Sequence, residues 1–218
     1  MSRRRLYLMR HADVAYFDEH GRPAHPDGVE LTEEGRRQAL AAAEAFRGVR
    51  FDRVVTSGLP RALETAGLVA TDAEPESWPE LRELEPARLS DIPADELEEA
   101  FVDAFRGVVP DERRFLGGET IGSLLDRVIP ALERLVADPD WDVVLAVLHG
   151  GVNRAILSYA LTGRRTFLGN FEQAPGCINV LDVGDDWIVR AANVAPSDLV
   201  HLTTRATTME RLFEQYRP

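Results

Sequence analysis

Two apolar runs in this chain each end on a histidine. Leu6-Tyr7-Leu8-Met9 gives way to Arg10-His11, and Val143-Val144-Leu145-Ala146-Val147-Leu148 gives way to His149-Gly150-Gly151. Short apolar runs with polar brackets predict strands buried on both faces. Residues 51–57 predict another strand, and residues 177–183 and 187–193 a late pair joined by Gly184-Asp185-Asp186. Between them the rhythm is helical. Thr32 is a good N-cap, Glu33 and Glu34 suit the first turn, and Ala39, Ala43 and Phe46 make an apolar stripe before Gly48. Pro60 suits a first helical position and puts Arg61 in that first turn. Ile121, Leu124, Leu125, Val128, Leu132 and Leu135 keep the i, i+3, i+4, i+7 spacing over residues 120–136, where Pro130 should kink or split the helix. Residues 94–105 and 152–161 predict two more helices. Met209, Leu212, Phe213 and Tyr216 predict an amphipathic C-terminal helix docked on its own domain.

Alternating strands and helices predict an α/β fold: a three-layer sandwich, mainly parallel sheet with helices on both faces, and a small helical cap from an insertion over about residues 84–118. Residues 1–218 read as one domain. In such sheets ligands bind beyond the carboxyl ends of the strands. Arg10-His11 and His149 are therefore expected to meet there and handle an anion. Either histidine alone is better explained as an ordinary strand end.

Composition narrows the partners. The formal net charge is −12, which argues against nucleic acid and anionic membrane surfaces, both of which call for basic patches. All 25 basic residues are arginine, so an anion site must use arginine, histidine or backbone N–H groups. The single Cys177 cannot form an internal disulfide and is expected to pack rather than react. No apolar run approaches the roughly 20 residues of a membrane helix, and the chain is expected to be cytoplasmic. His20 and His25 lie in a polar loop without the carboxylates or thiolates of a metal site.

Leu8-Met9-Arg10-His11-Ala12 resembles the Arg-His-Gly signature of the histidine phosphatase superfamily, the phosphoglycerate-mutase-like proteins. Further matches follow in the family's order: Leu31-Thr32-Glu33-Glu34-Gly35, Ser57-Gly58-Leu59-Pro60-Arg61, Leu81-Arg82-Glu83, Gly117-Gly118-Glu119-Thr120 and His149-Gly150-Gly151. The resemblance implies that His11 is the nucleophile that takes the phosphoryl group and that Arg10, Arg61 and His149 hold the phosphate. It also implies that Glu83 protonates the leaving oxygen, although Glu85, two residues on, could serve instead. Ser57 either assists phosphate binding or caps the following helix, and Glu119 and Thr120 either line the pocket or cap a helix. No cofactor or metal is implied.

The sequence departs from the family at several positions. Ala12 replaces the family's glycine, Phe17 stands where an asparagine is often found, and Ala87-Arg88-Leu89-Ser90-Asp91 replaces a Gly-x-Trp-Glu-Gly run. The expected activity is metal-independent hydrolysis of a small phosphorylated metabolite. A phosphoglycerate mutase-type transfer and a non-catalytic phosphate-binding or interaction module are the alternatives. Substrate identity and a homodimeric state stay open.

Overall fold

In the computed structural model, which describes residues 3–202 and 205–216, the two histidine-tipped runs lie side by side. β1 (Arg4–Arg10) and β5 (Val143–Leu148) pair in parallel with Arg10 opposite Leu148, so His11 and His149 leave the sheet together at its carboxyl edge. β2 (Arg53–Thr56) and the short β3 (Glu76–Ser77) continue the parallel set beyond β5, while β7 (Ile178–Val183) and β8 (Trp187–Val194) add antiparallel strands beyond β1. The order is β3-β2-β5-β1-β7-β8.

Alternation along the strands feeds two apolar layers. Leu6, Leu8, Val144 and Ala146 pack with α4 (Ile121–Ala137) and α5 (Gly150–Thr162). Met9, Leu145 and Val147 pack with α1 (Glu33–Ala45) and α2 (Pro60–Val69). The expected Thr32 cap forms, its hydroxyl accepting the Gly35 N–H, and Gly163 ends α5 in the left-handed region at φ 64°. Pro130 does not split α4, which runs unbroken through it. Pro130 and Asp126, four residues earlier, both lie on the exposed face of the helix.

Residues 84–118 include one short α-helix. Their helix, α3 (Leu97–Val102), is shorter than the 94–105 expected from the spacing of its apolar residues. They also carry β4 (Val108–Val109), which pairs antiparallel with β6 (Phe167–Leu168), strands too short to show a periodicity in the sequence. The C-terminal helix α6 (Thr208–Tyr216) docks on this segment, its Phe213 and Tyr216 rings 5.8 and 5.9 Å from Phe101. Phe17 meets Tyr216 at 5.7 Å. No helix among the described residues is long and apolar enough to cross a membrane.

Candidate active site

The backbone fixes His11 before its side chain is considered. His11 N–H donates to Leu148 O at 2.8 Å, its carbonyl accepts the Gly176 N–H at 3.1 Å, and the residue is 2% exposed. Its Nδ1 lies 2.8 Å from Ala12 O. A carbonyl only accepts, so Nδ1 carries the proton and Nε2 keeps its lone pair. Ala12 has an ordinary backbone conformation and is fully buried, its N–H donating to Thr65 Oγ1 at 3.1 Å.

His149, the N-cap of α5, is fully buried, and its ring centroid lies 5.2 Å from that of His11. Its Nε2 is 2.7 Å from Ser57 Oγ, which also accepts the Leu59 N–H at 3.3 Å. Ser57 thus orients His149 and braces the entry to α2 at once. Burial, then the nearby Arg61 and Arg10 guanidiniums, hold the His11 imidazole well below its ordinary range. Burial likewise dominates at His149, followed by Arg61, His11, Arg10 and Arg127. Both rings are neutral at pH 7.

The two arginines are anchored by carbonyl oxygens. Arg10 Nη1 donates to Gln173 O at 2.5 Å and Thr208 Oγ1 at 3.2 Å, and Arg61 Nη1 donates to Pro26 O at 2.5 Å. The Nε atoms of Arg10 and Arg61 and the Nδ1 of His149 are buried without a hydrogen-bond partner among the described residues. Buried donors of this kind are costly unless an anion meets them.

Of the two candidate carboxylates, Glu83 is the one turned onto the site. Leu81 and Leu84 are buried on either side, and the Glu83 carboxylate accepts the Gly151 N–H at 3.1 and 2.9 Å. A Cβ on Gly151 would sit 2.5 Å from Glu83 Oε1 and 2.9 Å from Leu84 Cδ1, so the glycine makes this approach sterically feasible. Glu85 is exposed, and its N–H donates to Glu119 Oε2 at 3.2 Å.

Several residues around the site were not foreseen. Arg127 on α4 grips Glu119 through two hydrogen bonds of 2.9 Å and donates to Glu80 O, Arg82 O and Glu83 O, pinning the segment that presents Glu83. Arg154, pulled down to about 10 by burial, donates to Gly150 O at 3.0 Å and to Glu172 at 3.3 Å. An arginine inside an apolar helical stretch was the available signal for both. Glu119 therefore partners Arg127, and Thr120 caps α4 by accepting the Ser123 N–H. His25 caps a single turn, His20 is exposed, and His201 Nε2 lies 2.9 Å from Asn193 O. Burial pushes the Cys177 thiol up to about 12, while the Cys177 carbonyl accepts the Arg10 N–H at 3.0 Å. Cys177 is thus a packing residue.

From Arg10 and His11 a cleft of about 60 Å³ runs beneath α6, walled by Tyr16, Thr208, Arg211 and Gln215.

Comparison with known proteins identifies the family. The family model described as "Histidine phosphatase superfamily (branch 1)" matches residues 6–194, and the chain belongs to that superfamily. The chain is 27% identical to phosphoglycerate mutase-like protein 4 of Arabidopsis thaliana, over 85% of this chain and 83% of that protein. It is 31% identical to the adenosylcobalamin/alpha-ribazole phosphatase of Salmonella typhimurium, over 82% of this chain and 90% of that protein. The mycobacterial glucosyl-3-phosphoglycerate phosphatase, solved with inorganic phosphate, matches with a TM-score of 0.69 and 25% identity, over 88% of this chain and 98% of that chain.

Proposed function

We propose that this superfamily member is a metal-independent phosphomonoesterase that hydrolyses a small phosphorylated metabolite through a phosphohistidine on His11. The observation that carries the reading is the fixed tautomer. With Nδ1–H committed to Ala12 O, the Nε2 lone pair is the free nucleophile, beside two arginines whose buried Nε atoms lack acceptors.

Nε2 attacks phosphorus as the P–O bond to the alcohol breaks, and Glu83, entering as the acid, gives its proton to the departing oxygen. Water then attacks the phosphohistidine, yielding its proton to the Glu83 carboxylate. The P–N bond breaks, and the electron pair returns to Nε2 as phosphate leaves. Arg10, Arg61 and the Nδ1 of His149 meet the phosphoryl oxygens as charge builds in the transition state. Burial makes those contacts stronger than they would be in water. The net charge of −12 supports a small anion drawn to a local positive focus over nucleic acid as partner. The buried, unpaired Cys177 fits a cytoplasmic setting.

The test is phosphate release from a panel of small phosphomonoesters with and without EDTA. Wild type should release phosphate under both conditions and carry an acid-labile phosphoryl label. The His11→Ala variant should lose both, with a rate deficit on the order of 10⁴ or more. Return of the label to a second substrate hydroxyl in place of water would assign a mutase. Neither release nor label in wild type would overturn the reading.

A further inference from the structure

Arg10 and Arg61 each keep a buried Nε without a partner among the described residues, whereas Arg127 uses every donor it has. Its Nε donates to Glu119 Oε1 at 2.9 Å, its Nη1 to Glu80 O at 2.7 Å and Arg82 O at 2.6 Å, and its Nη2 to Glu83 O at 3.3 Å and Glu119 Oε2 at 2.9 Å. A guanidinium has five N–H donors, so this one is saturated. No donor is left for a substrate oxygen.

Three of those bonds end on the backbone of residues 80–83, where a single helical turn gives way to a stretch, 82–88, that is neither helix nor strand. Carbonyls in such a stretch have no ladder to join and need partners from elsewhere. The bond to Glu83 O has a chemical consequence. Glu83 O and the Leu84 N–H belong to one planar peptide unit, and that N–H donates to Glu83 Oε1 at 3.0 Å. Arg127 therefore holds one side of a rigid plane whose other side holds the carboxylate, while the Gly151 N–H meets the same carboxylate from α5. Glu119 completes the clamp: its own N–H donates to Glu85 O at 2.8 Å, and its Oε2 accepts the Glu85 N–H at 3.2 Å. Gly118 permits that approach, since a Cβ there would lie 2.1 Å from Glu85 O. The Arg127 and Glu119 side chains are partly buried, which limits screening by salt.

We infer that Arg127, with Glu119 as its counter-charge, is a positioning residue for proton transfer: it sets the place of the Glu83 carboxyl relative to the leaving oxygen and takes no part in holding the phosphoryl group. The inference rests on the phosphatase reading, within which Glu83 is the acid. Misplacing a reacting group by about 1 Å costs on the order of 10²-fold in rate, whereas an ion pair that merely braces α4 would affect stability alone.

The test compares benzyl phosphate, whose alkoxide must be protonated as it departs, with p-nitrophenyl phosphate, whose phenolate needs little protonation. The measure is kcat/KM, which ends at release of the alcohol. Arg127→Ala should lose roughly tenfold to a hundredfold on the benzyl ester and stay within about threefold on the nitrophenyl ester. Its inhibition constant for inorganic phosphate should match that of wild type, which also reports that the variant is folded. Arg127→Lys should behave like Arg127→Ala, because the three donors of an ammonium cannot reproduce the guanidinium's bonds. Glu119→Gln, a milder change that serves if Arg127→Ala does not fold, should show the same pattern with a loss of about threefold on the benzyl ester. In a Glu83→Gln background Arg127→Ala should cost no more than about twofold, because the carboxyl it places has gone. Equal losses on both esters, full activity of the lysine variant, or an undiminished loss in the Glu83→Gln background would overturn the inference and leave the phosphatase reading standing. Wild type that cleaves only the nitrophenyl ester would do the same, since it has no working acid to position. Wild type that cleaves neither ester would overturn the phosphatase reading, and the inference with it.

Discussion

At the start of β1, Arg5 donates to both carboxylate oxygens of Asp182 at 2.7 and 3.1 Å, and Arg190 reaches the same carboxylate at 2.7 Å. At the start of β2, Arg53 is shared between Glu76 and Asp138. The opposite end of β1 handles its charges differently. Arg10 and, nearby, Arg61 are held by the carbonyls of Gln173 and Pro26, and the carboxylate of Glu83 is held by the Gly151 N–H. One edge of the sheet cancels its charges against one another, while at the other Arg10, Arg61 and Glu83 are each held by neutral backbone partners. A protein of net charge −12 thereby builds a positive focus by keeping carboxylates off two arginines. Burying unpaired charge is unfavourable, so on the proposed mechanism this edge gives up stability for electrostatic preorganisation.

The largest effect should come from removing charge at the carboxyl edge. Arg10→Gln should lower kcat/KM by roughly 10²–10³, the range for losing one preorganised transition-state donor. Its melting temperature should equal or exceed that of wild type, because a buried, uncompensated charge has gone. A fall in both activity and melting temperature would show that Arg10 is part of the structural scaffold, and the contrast between the edges would collapse.

Glu83→Gln keeps the shape that accepts the Gly151 N–H and removes the proposed proton carrier. It should lower kcat by about 10²-fold on alkyl phosphates. The loss should shrink on p-nitrophenyl phosphate, whose leaving group needs little protonation. Glu85→Gln, at an exposed position, should stay within twofold on both substrates. A larger loss from Glu85 than from Glu83 would reverse the assignment of the acid.

Next in size is the pH dependence of stability. His11 and His149 are held neutral in the folded chain, while in the unfolded chain they titrate near 6.5. Below that pH the unfolded state binds more protons. The stability they contribute is therefore complete above about 6.5 and is lost progressively as pH falls. Urea midpoints should decline from pH 6.5 to 5, with a slope of at most about 1.4 kcal/mol per pH unit for each histidine. Replacing both histidines with asparagine should flatten that decline; an unchanged slope would place its origin elsewhere.

Periodicity read the strands well because burial on both faces leaves a continuous apolar run, and the residue that ends such a run stands at the sheet edge. Arg10, His11 and His149 were legible for that reason, and Arg61 because Pro60 marks the first turn of α2. The contacts that complete the site were not legible. Thr208 meets Arg10 across 198 positions, and Arg127 holds Glu83 O across 44. No local pattern encodes either meeting. β4 and β6 have two residues each, too few to alternate. Phe17, a departure from the family's common asparagine, makes sense only once Tyr216 is seen against it.

The smallest effect should come from the cancelled edge. Asp182 is buried while its partners Arg5 and Arg190 are about half exposed, with side chains 42% and 53% accessible. Its hydrogen bond from Arg5, and then the bond from Arg190, hold the Asp182 carboxyl below the ordinary range. The stability it supplies is thus present above the unfolded value of about 3.9 and is lost as pH falls through the folded value, well below the window of the histidines. Solvent screening of the half-exposed arginines limits the effect. Asp182→Asn should cost about 1 kcal/mol in urea unfolding at pH 7 and leave kcat/KM unchanged. It should also leave the slope between pH 6.5 and 5 intact, since that slope belongs to the other edge. An Asp182→Asn variant with normal stability and reduced turnover would mean that the charges at the two edges are coupled through the sheet, and the division between a neutralised scaffold and a charged site would have to be abandoned.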